Sequence, residues 1–530
     1  MVCDAPMTTS TPSWRRAPLP VRLALVFALC LAVAAGENVD LEAVHRIREE
    51  ALHNSKIGEL AVRLTDMHGP RLTNSPGFRK ACEWAVKQMQ EWGLENVRIE
   101  TWPFGRGWSA SRYSAHMIEP APAALVIAPR PWSPGTDGLV RADAVYFPLA
   151  AGAKIDELIE KFQGKLQGKI VLAGEPIAVR PQTEAEWRRW TEQDLAAQLE
   201  TPEPGRRGGF AVPGAARLDN PRSGSLWAER DRLNKFFIEG GVAAVLTPAA
   251  GQGGSVMIMP AGSRDKDRQP PPPTAALASE HYGRIVRLLR NGIPVKLEID
   301  IQAQFHDDSL DGWNVLAEIP GRGKPDEIVM LGAHIDSWTG GTGALDNGAG
   351  VITAMEAMRI LKASGLTMDR TVRIGLWGGE EQGLLGSQAH VKERYGSPRS
   401  GAATAAHPKF SVYFNLDYGS GKIRGIYLDG NDMARPIFEA WFKPFADMGA
   451  GAVATRALPY GGSDHSSFTN AGLPGFMFMQ DPLNYFSRLH TNMDAWEHAS
   501  PGDLMQNAAI LASFAYHAAT RAELMPRKSQ

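Results

Sequence analysis

The sequence predicts an α/β fold: a mixed, mostly parallel sheet flanked by helices, with an inserted β-rich domain. Three observations carry this reading. The apolar runs EIVML, TVRIGLW and FSVYFNL read as buried strands. A helix followed by a strand opens the ordered part of the chain. Between about residues 119 and 300 the composition shifts to Pro, Gly and Ala, with short β-like runs.

Taken in order, the chain begins with Arg15, Arg16 and Arg22 ahead of the apolar run Leu23 to Ala35, closed by Gly36. A basic region, a short apolar core and small residues at a cleavage point form a signal peptide over residues 1–36. The run is short for a transmembrane helix, and a retained signal anchor is the alternative to cleavage. The chain is therefore expected to be exported, periplasmic or secreted, with no stable membrane span once the signal is removed. Cys3 and Cys30 leave with the signal, so Cys82 has no partner for an internal disulfide. It lies among the apolar positions of a helix and reads as a small buried hydrophobe.

Residues 37–118 are expected to be the N-terminal part of the main domain. Ser75 and Pro76 start a helix, Ala81, Trp84, Ala85, Met89 and Trp92 recur at helical spacing, and Gly93 stops it. Val97 to Thr101 alternates like a strand. Residues 119–300 are the inserted domain, with ALVIA, KIVLA, AAVLT and VKLEIDI as its strands. Thr183 to Lys235 is charged and helical in part, and Pro270 to Pro273 reads as a rigid surface loop. Residues 301–525, opening with WNVLAEI, resume the α/β pattern. A chain of 530 residues needs two or three domains. Its 56 basic and 58 acidic residues leave a formal charge of −2, which gives no footprint for nucleic acid.

Each of the three apolar runs leads to ionisable residues. His334 ends one, Glu380 and Glu381 follow another after two glycines, and Asp417 closes the third. Carboxyl ends of strands in an open α/β sheet meet at one edge. Asp346, before the apolar helix at about Val351 to Leu361, and His490 in HTNMD complete a set of hard oxygen and imidazole donors. Such a set suits zinc or another divalent metal in an open hydrolytic site. Of the adjacent Glu380 and Glu381, one can bind metal while the other takes a proton from water. Asp336 can orient His334, and Asp494 can play the same part near His490. The Gly-rich tract around Tyr460, Asp464 and His465 can line the site, with Tyr460 donating to a developing oxyanion.

The tracts GAHIDS, GALDNGAG, WGGEEQGLLGS, FNLDYGS, YGGSDHSSF and HTNMD, in this order, resemble the co-catalytic zinc aminopeptidase family. KLQGKIVLAGEP and FFIEGGVAAVLTP resemble a protease-associated domain, and KIGELAVRLTDMHGPRLTNSPG resembles the opening of the carboxypeptidase-Q-like branch. The resemblance implies a zinc-exopeptidase fold with two zinc ions, other divalent metals being possible. It makes Asp346 the bridge, His334 and Asp417 ligands of one ion, Glu381 and His490 ligands of the other, and Glu380 the general base. It also implies a cis peptide after Asp346. The chain departs from the pattern at Leu489-His490, where many relatives carry two consecutive histidines, and at Asp494-Ala-Trp-Glu497. The activity implied is hydrolysis of short peptides or dipeptides, of aminopeptidase or dipeptidase type, and a homodimer is compatible with it. The alternatives are an acyltransferase of glutaminyl cyclase type and a receptor-like homologue without catalysis. The second should have lost ligands, which this chain retains. Side-chain preference, native metal and oligomeric state are not written in the sequence.

Overall fold

β10 (Asp311–Ile319), β11 (Lys324–His334), β12 (Arg370–Trp377), β13 (Phe410–Asn415) and β16 (Gly475–Gln480) form the middle of an eight-stranded mixed sheet. β1 (Glu95–Pro103) lies outside β10 at one edge. At the other edge, β14 (Ile423–Tyr427) and β15 (Ala452–Ala454) follow β16. The structure is a computed structural model. It describes residues 37–150, 152–179, 181–200, 224–397, 401–456 and 462–528, and from Asp40 onward these form one compact unit. The expected signal peptide lies outside the described residues.

β12, β11, β13 and β16 are neighbours in that order and run parallel. β12, β13 and β16 are buried along their whole length, because helices cover both faces. On one face Tyr413 stacks on Phe468 of the helix His465–Asn470, with ring centroids 4.3 Å apart. The next residue, Phe414, points the other way and meets Phe514 of the helix Pro501–Thr520 at 5.8 Å. The helix Ala349–Ala363 packs against Pro501–Thr520 and against β11 and β12.

Sequence signals explain the helix that precedes β1. It spans Pro76–Glu91, Ser75 caps it by accepting from the Phe78 N–H at 3.2 Å, and Pro76 occupies its first turn. Phe78, Ala81, Cys82, Ala85 and Met89 form its buried stripe, with the Cys82 thiol free. β1 follows directly.

The second sheet draws on residues between Gly107 and His306. Its order is β3 (Ala123–Ala124), β2 (Gly107–Glu119), β9 (Lys296–His306), β5 (Val140–Phe147), β6 (Ile170–Ala173), β7 (Ala244–Pro248), β8 (Thr274–Leu277) and β4 (Ile127–Pro129). β5 to β8 are parallel and in chain order. Tyr282, Ile285 and Val286 of the helix Ser279–Arg290 pack in one core cluster of this sheet, while Phe147, Val171, Leu233 and Phe237 belong to another. The charged stretch from Thr183 contains the helices Glu192–Leu199 and Gly224–Glu239.

One expectation is corrected here. Pro270 to Pro273 is not a surface loop, since Pro271 and Pro272 are buried. The Pro273 carbonyl accepts from the Val245 N–H at 2.8 Å, so the run is the lead-in to β8. Proline lacks a donor but keeps its acceptor, and a buried ladder end can use that.

Candidate metal centre

The parallel strands deliver their carboxyl ends to one edge. His334 is the last residue of β11, Glu380 and Glu381 follow β12, and Asp417 follows β13. Asp346 sits in the turn before the helix Ala349–Ala363, and its peptide bond to Asn347 is cis. The Asn347 side chain donates to the Leu416 carbonyl at 2.8 Å and accepts from the Gly350 N–H at 3.1 Å, which ties this turn to the end of β13.

His334, Asp346, Glu380, Glu381, Asp417 and His490 are brought together. His334 Nε2 lies 3.3 Å from Asp346 Oδ1, 3.3 Å from Asp417 Oδ1 and 4.0 Å from Glu380 Oε2. His490 Nε2 lies 3.0 Å from Asp346 Oδ2 and 3.1 Å from Glu381 Oε2. Asp346 therefore presents one oxygen to each imidazole. Two triads, His334–Glu380–Asp417 and His334–Asp346–Glu381, each have donor atoms within 4.8 Å of one another.

Residues 314–515 match the family model described as Peptidase family M28. Through this stretch, rather less than half of the chain, the sequence resembles peptidase family M28. Mouse carboxypeptidase Q is 26% identical over 465 residues, covering 88% of this chain and 86% of the relative. The crystal structure of a peptidase M28 precursor from Shewanella amazonensis is 25% identical, with a TM-score of 0.63 over 92% of this chain and 99% of that one. A zinc aminopeptidase from Bacillus subtilis shares the fold at 18% identity, with a TM-score of 0.54 over 89% of this chain and 96% of that one. These likenesses support a peptidase, and so a hydrolase, as the coarse activity.

This donor set fits a divalent metal on its own chemistry. Asp346 Oδ2 and Glu381 Oε1 are buried and meet no donor in hydrogen-bonding geometry, although His490 Nε2 is near the first. A buried carboxylate oxygen without a donor is costly unless a cation takes that place. Electrostatics agree. Burial pushes Glu381 up to about 7, with His490 opposing and Asp346 adding to the rise. Burial also pushes Glu380 well above the usual carboxylate range, against the pull of His334 and helped by Asp417 and Asp464. Burial disfavours charge on His334 and His490, but the facing carboxylates outweigh it and hold both well above the ordinary histidine range. The site carries more acid than its imidazoles balance, which is the condition that divalent cations relieve.

The surrounding groups act mainly through backbone. His334 Nδ1 is 3.0 Å from the Asp336 main-chain carbonyl and 3.5 Å from its carboxylate. That carboxylate also accepts from the Glu380 N–H at 3.2 Å and the Glu381 N–H at 3.3 Å, so it sets the acid pair. Asp494 accepts from the Leu345 N–H at 2.6 Å and the Asp346 N–H at 3.2 Å, and burial lifts it to about 7. Asp464 is buried and lifted to about 7 by burial, with His334 opposing. Burial keeps His465 neutral by lowering it to about 4. Tyr460 lies outside the described residues.

Three contributors were not foreseen from sequence. Arg71 is wholly buried, and its guanidinium donates to the carbonyls of Ile335, Thr342 and Gly343, each at 2.8 Å. Burial lowers it only to about 10, so it remains a cation beside Asp494, Asp336 and Asp346. Thr73 donates to Asp336 Oδ2 at 2.9 Å and accepts from the Gly379 N–H at 3.1 Å. Tyr485 donates to Asp346 Oδ1 at 3.3 Å. The tract GPRLTNSPG was the available signal for the first two, because a lone Arg in an apolar, turn-rich stretch needs acceptors. Nothing in the sequence marks Tyr485 beyond its nearness to His490.

Proposed function

We propose that this chain is a two-metal exopeptidase that hydrolyses short peptides or dipeptides from the amino end. The observation that supports it is the convergence of two imidazoles and four carboxylates at one sheet edge, with Asp346 facing both imidazoles. His334 and Asp417 would hold one ion, Glu381 and His490 the other, with Asp346 between them. Two divalent ions, zinc by preference, would polarise the scissile carbonyl and lower the pKa of water.

The chain's own residues supply the rest. Glu381 is the more enclosed of the acid pair, its side chain 5% exposed against 14% for Glu380. Glu381 therefore suits a ligand, and Glu380, open to the cleft, suits the base. Its carboxylate takes a proton from the attacking water at one oxygen and returns it to the leaving amine. Cations at the centre would bring Glu380 down from its raised value, so that it is ionised when it must accept. Asp336 fixes the backbone of both glutamates, and Asp494 fixes that of Asp346. The second-sheet region, read as a protease-associated domain, would wall the cleft and restrict it to short substrates. Export through the N-terminal segment completes the proposal.

The deciding experiment pairs metal analysis of the purified chain with a panel of aminoacyl anilides, free dipeptides and a Gln-initiated peptide. Release of an amino acid, lost on chelation and restored by zinc, supports the reading. Ammonia released by cyclisation of the Gln peptide, without hydrolysis, would make the chain a cyclase. A chain that binds no metal and cleaves nothing would fall to the receptor-like alternative.

A further inference from the structure

The loop between β7 and β8 reaches the segment that carries His490. Met257 and Thr491 form an isolated antiparallel bridge. The Ile258 N–H donates to the His490 carbonyl at 2.8 Å, and the Asn492 N–H donates to the Val256 carbonyl at 3.2 Å. The Asn492 side chain adds two more bonds, accepting from the Val256 N–H at 2.7 Å and donating to the Gly254 carbonyl at 3.3 Å. Val256 and Ile258 are fully buried in a cluster with Ala128, Ala249 and Ala276, so the loop is rooted in the second sheet. On its other side Ile258 fills the space at Gly340, where an added Cβ would lie 2.1 Å from Ile258 Cδ1.

His490 itself has φ of 58°, in the left-handed region that non-glycine residues rarely occupy. Such a conformation persists where the surroundings over-determine it. Here the surroundings are the 254–258 segment, which holds the residue's own carbonyl. Trp338 supplies a second restraint, its ring edge-on to the imidazole at 6.1 Å. A ligand nitrogen held in advance binds without an ordering cost, and loss of the partners that hold a ligand costs roughly 10- to 100-fold in metal affinity.

We propose that residues 254–258 are a positioning element for His490, through which the second-sheet region sets metal affinity at the position shared by His490 and Glu381, with Asn492 carrying the coupling. The inference rests on the reading of His490 and Glu381 as ligands. Linkage is reciprocal: metal at this position tightens the loop's attachment as much as the loop tightens metal binding.

The test uses the full chain, stripped with a chelator and titrated with Co²⁺, reading the cobalt absorption bands and competition with a chromophoric chelator. N492L should weaken one class of site by roughly 10- to 100-fold and leave the other within about twofold. N492D keeps the acceptor for the Val256 N–H and should restore most of the affinity. Y282F removes a buried bond from Tyr282 to the Gly174 carbonyl, elsewhere in the second-sheet region, and should leave both classes unchanged. N492L equal to wild type at both classes, or Y282F weakening Co²⁺ as much as N492L, would overturn the proposal. Should N492L fail to fold, hydrogen exchange on the wild-type chain decides. Co²⁺ should slow exchange at the Val256 and Ile258 amides by about tenfold or more, and unchanged exchange overturns the coupling. A wild-type chain that takes up no Co²⁺ at all overturns the ligand reading and this inference with it, an outcome distinct from the others.

Discussion

The chain contains two eight-stranded sheets, each with a run of parallel strands covered by helices, yet among the described residues the groups that could hold a metal ion lie at the edge of the first. Strand order accounts for the difference. In the second sheet β5, β6, β7 and β8 follow one another without reversal. Every crossover steps the same way. Tyr282 donates to the Gly174 carbonyl just after β6 at 2.8 Å. In the first sheet β12 lies on one side of β11 and β13 on the other. The chain leaves β11 in one direction and later returns to its opposite flank. Open α/β sheets place ligands where their strand order reverses, and His334 ends the strand at which this order reverses. The two sheets thus show that parallel strands alone do not make a site, whereas a reversal of their order does.

The sharpest way to break this comparison acts on the first sheet alone. Glu380→Gln should lower turnover by roughly 10²- to 10⁴-fold with metal content unchanged, while Glu381→Ala should empty one metal position. Metal analysis beside single-turnover kinetics checks both. If Glu380→Gln empties the site at unchanged turnover per bound metal, the two glutamates have exchanged roles. The matching cut in the second sheet is Phe147→Ala, in its buried cluster. It should cost about 3–5 kcal/mol in denaturant unfolding and leave metal stoichiometry intact. Loss of metal in that variant would mean that the sheets are not separable in function.

A third test uses pH. Glu380, Glu381, Asp464, Asp494, His334 and His490 all hold protons more tightly in the folded chain than ordinary groups do. Raised groups contribute stability that is complete below their unfolded values and is lost as pH rises through their folded ones. Asp346 is held low by His334 and His490 against its burial, and it acts oppositely only at acid pH. Metal-free protein should therefore lose stability, by a few kcal/mol, from about pH 5 to about pH 8. Metal-loaded protein should gain relative to it over the same window, since binding displaces those protons. Melting temperatures of both forms across pH check this, and parallel curves would refute it. The smallest effect is expected from Tyr485→Phe, which removes one long hydrogen bond to Asp346. It should weaken metal binding by about 1 kcal/mol, measured by chelator competition.

What could be read from sequence was whatever depends on local pattern. Apolar runs gave the central strands, and the acids and imidazoles closing them gave the convergent set, because strand ends in such a sheet share an edge. The Ser75–Pro76 start was legible for the same local reason. Contacts between distant segments were not. The Arg71 guanidinium serves carbonyls of a loop 272 residues away at Gly343, and no periodicity announces that. Pro270 to Pro273 misled because composition reports stiffness, not depth. Asp336 was expected as a partner of His334, and its hold on the two glutamate N–H groups became visible only once β12 lay beside β11. The loop at 254–258 has no motif, since its role resides in main-chain bonds that almost any residue could make.

The reach of Arg71 bears on the order of synthesis. Thr73 and Arg71 emerge early, β11 and the acid pair much later, and His490 near the end. Between the first and the rest lies the whole second sheet. A growing chain therefore lacks the guanidinium's acceptors until Gly343 is made, and the proposed ligand set until His490 is made. If the proposed centre is the hydrolytic one, a nascent chain that has not reached His490 should be inert toward the peptides around it.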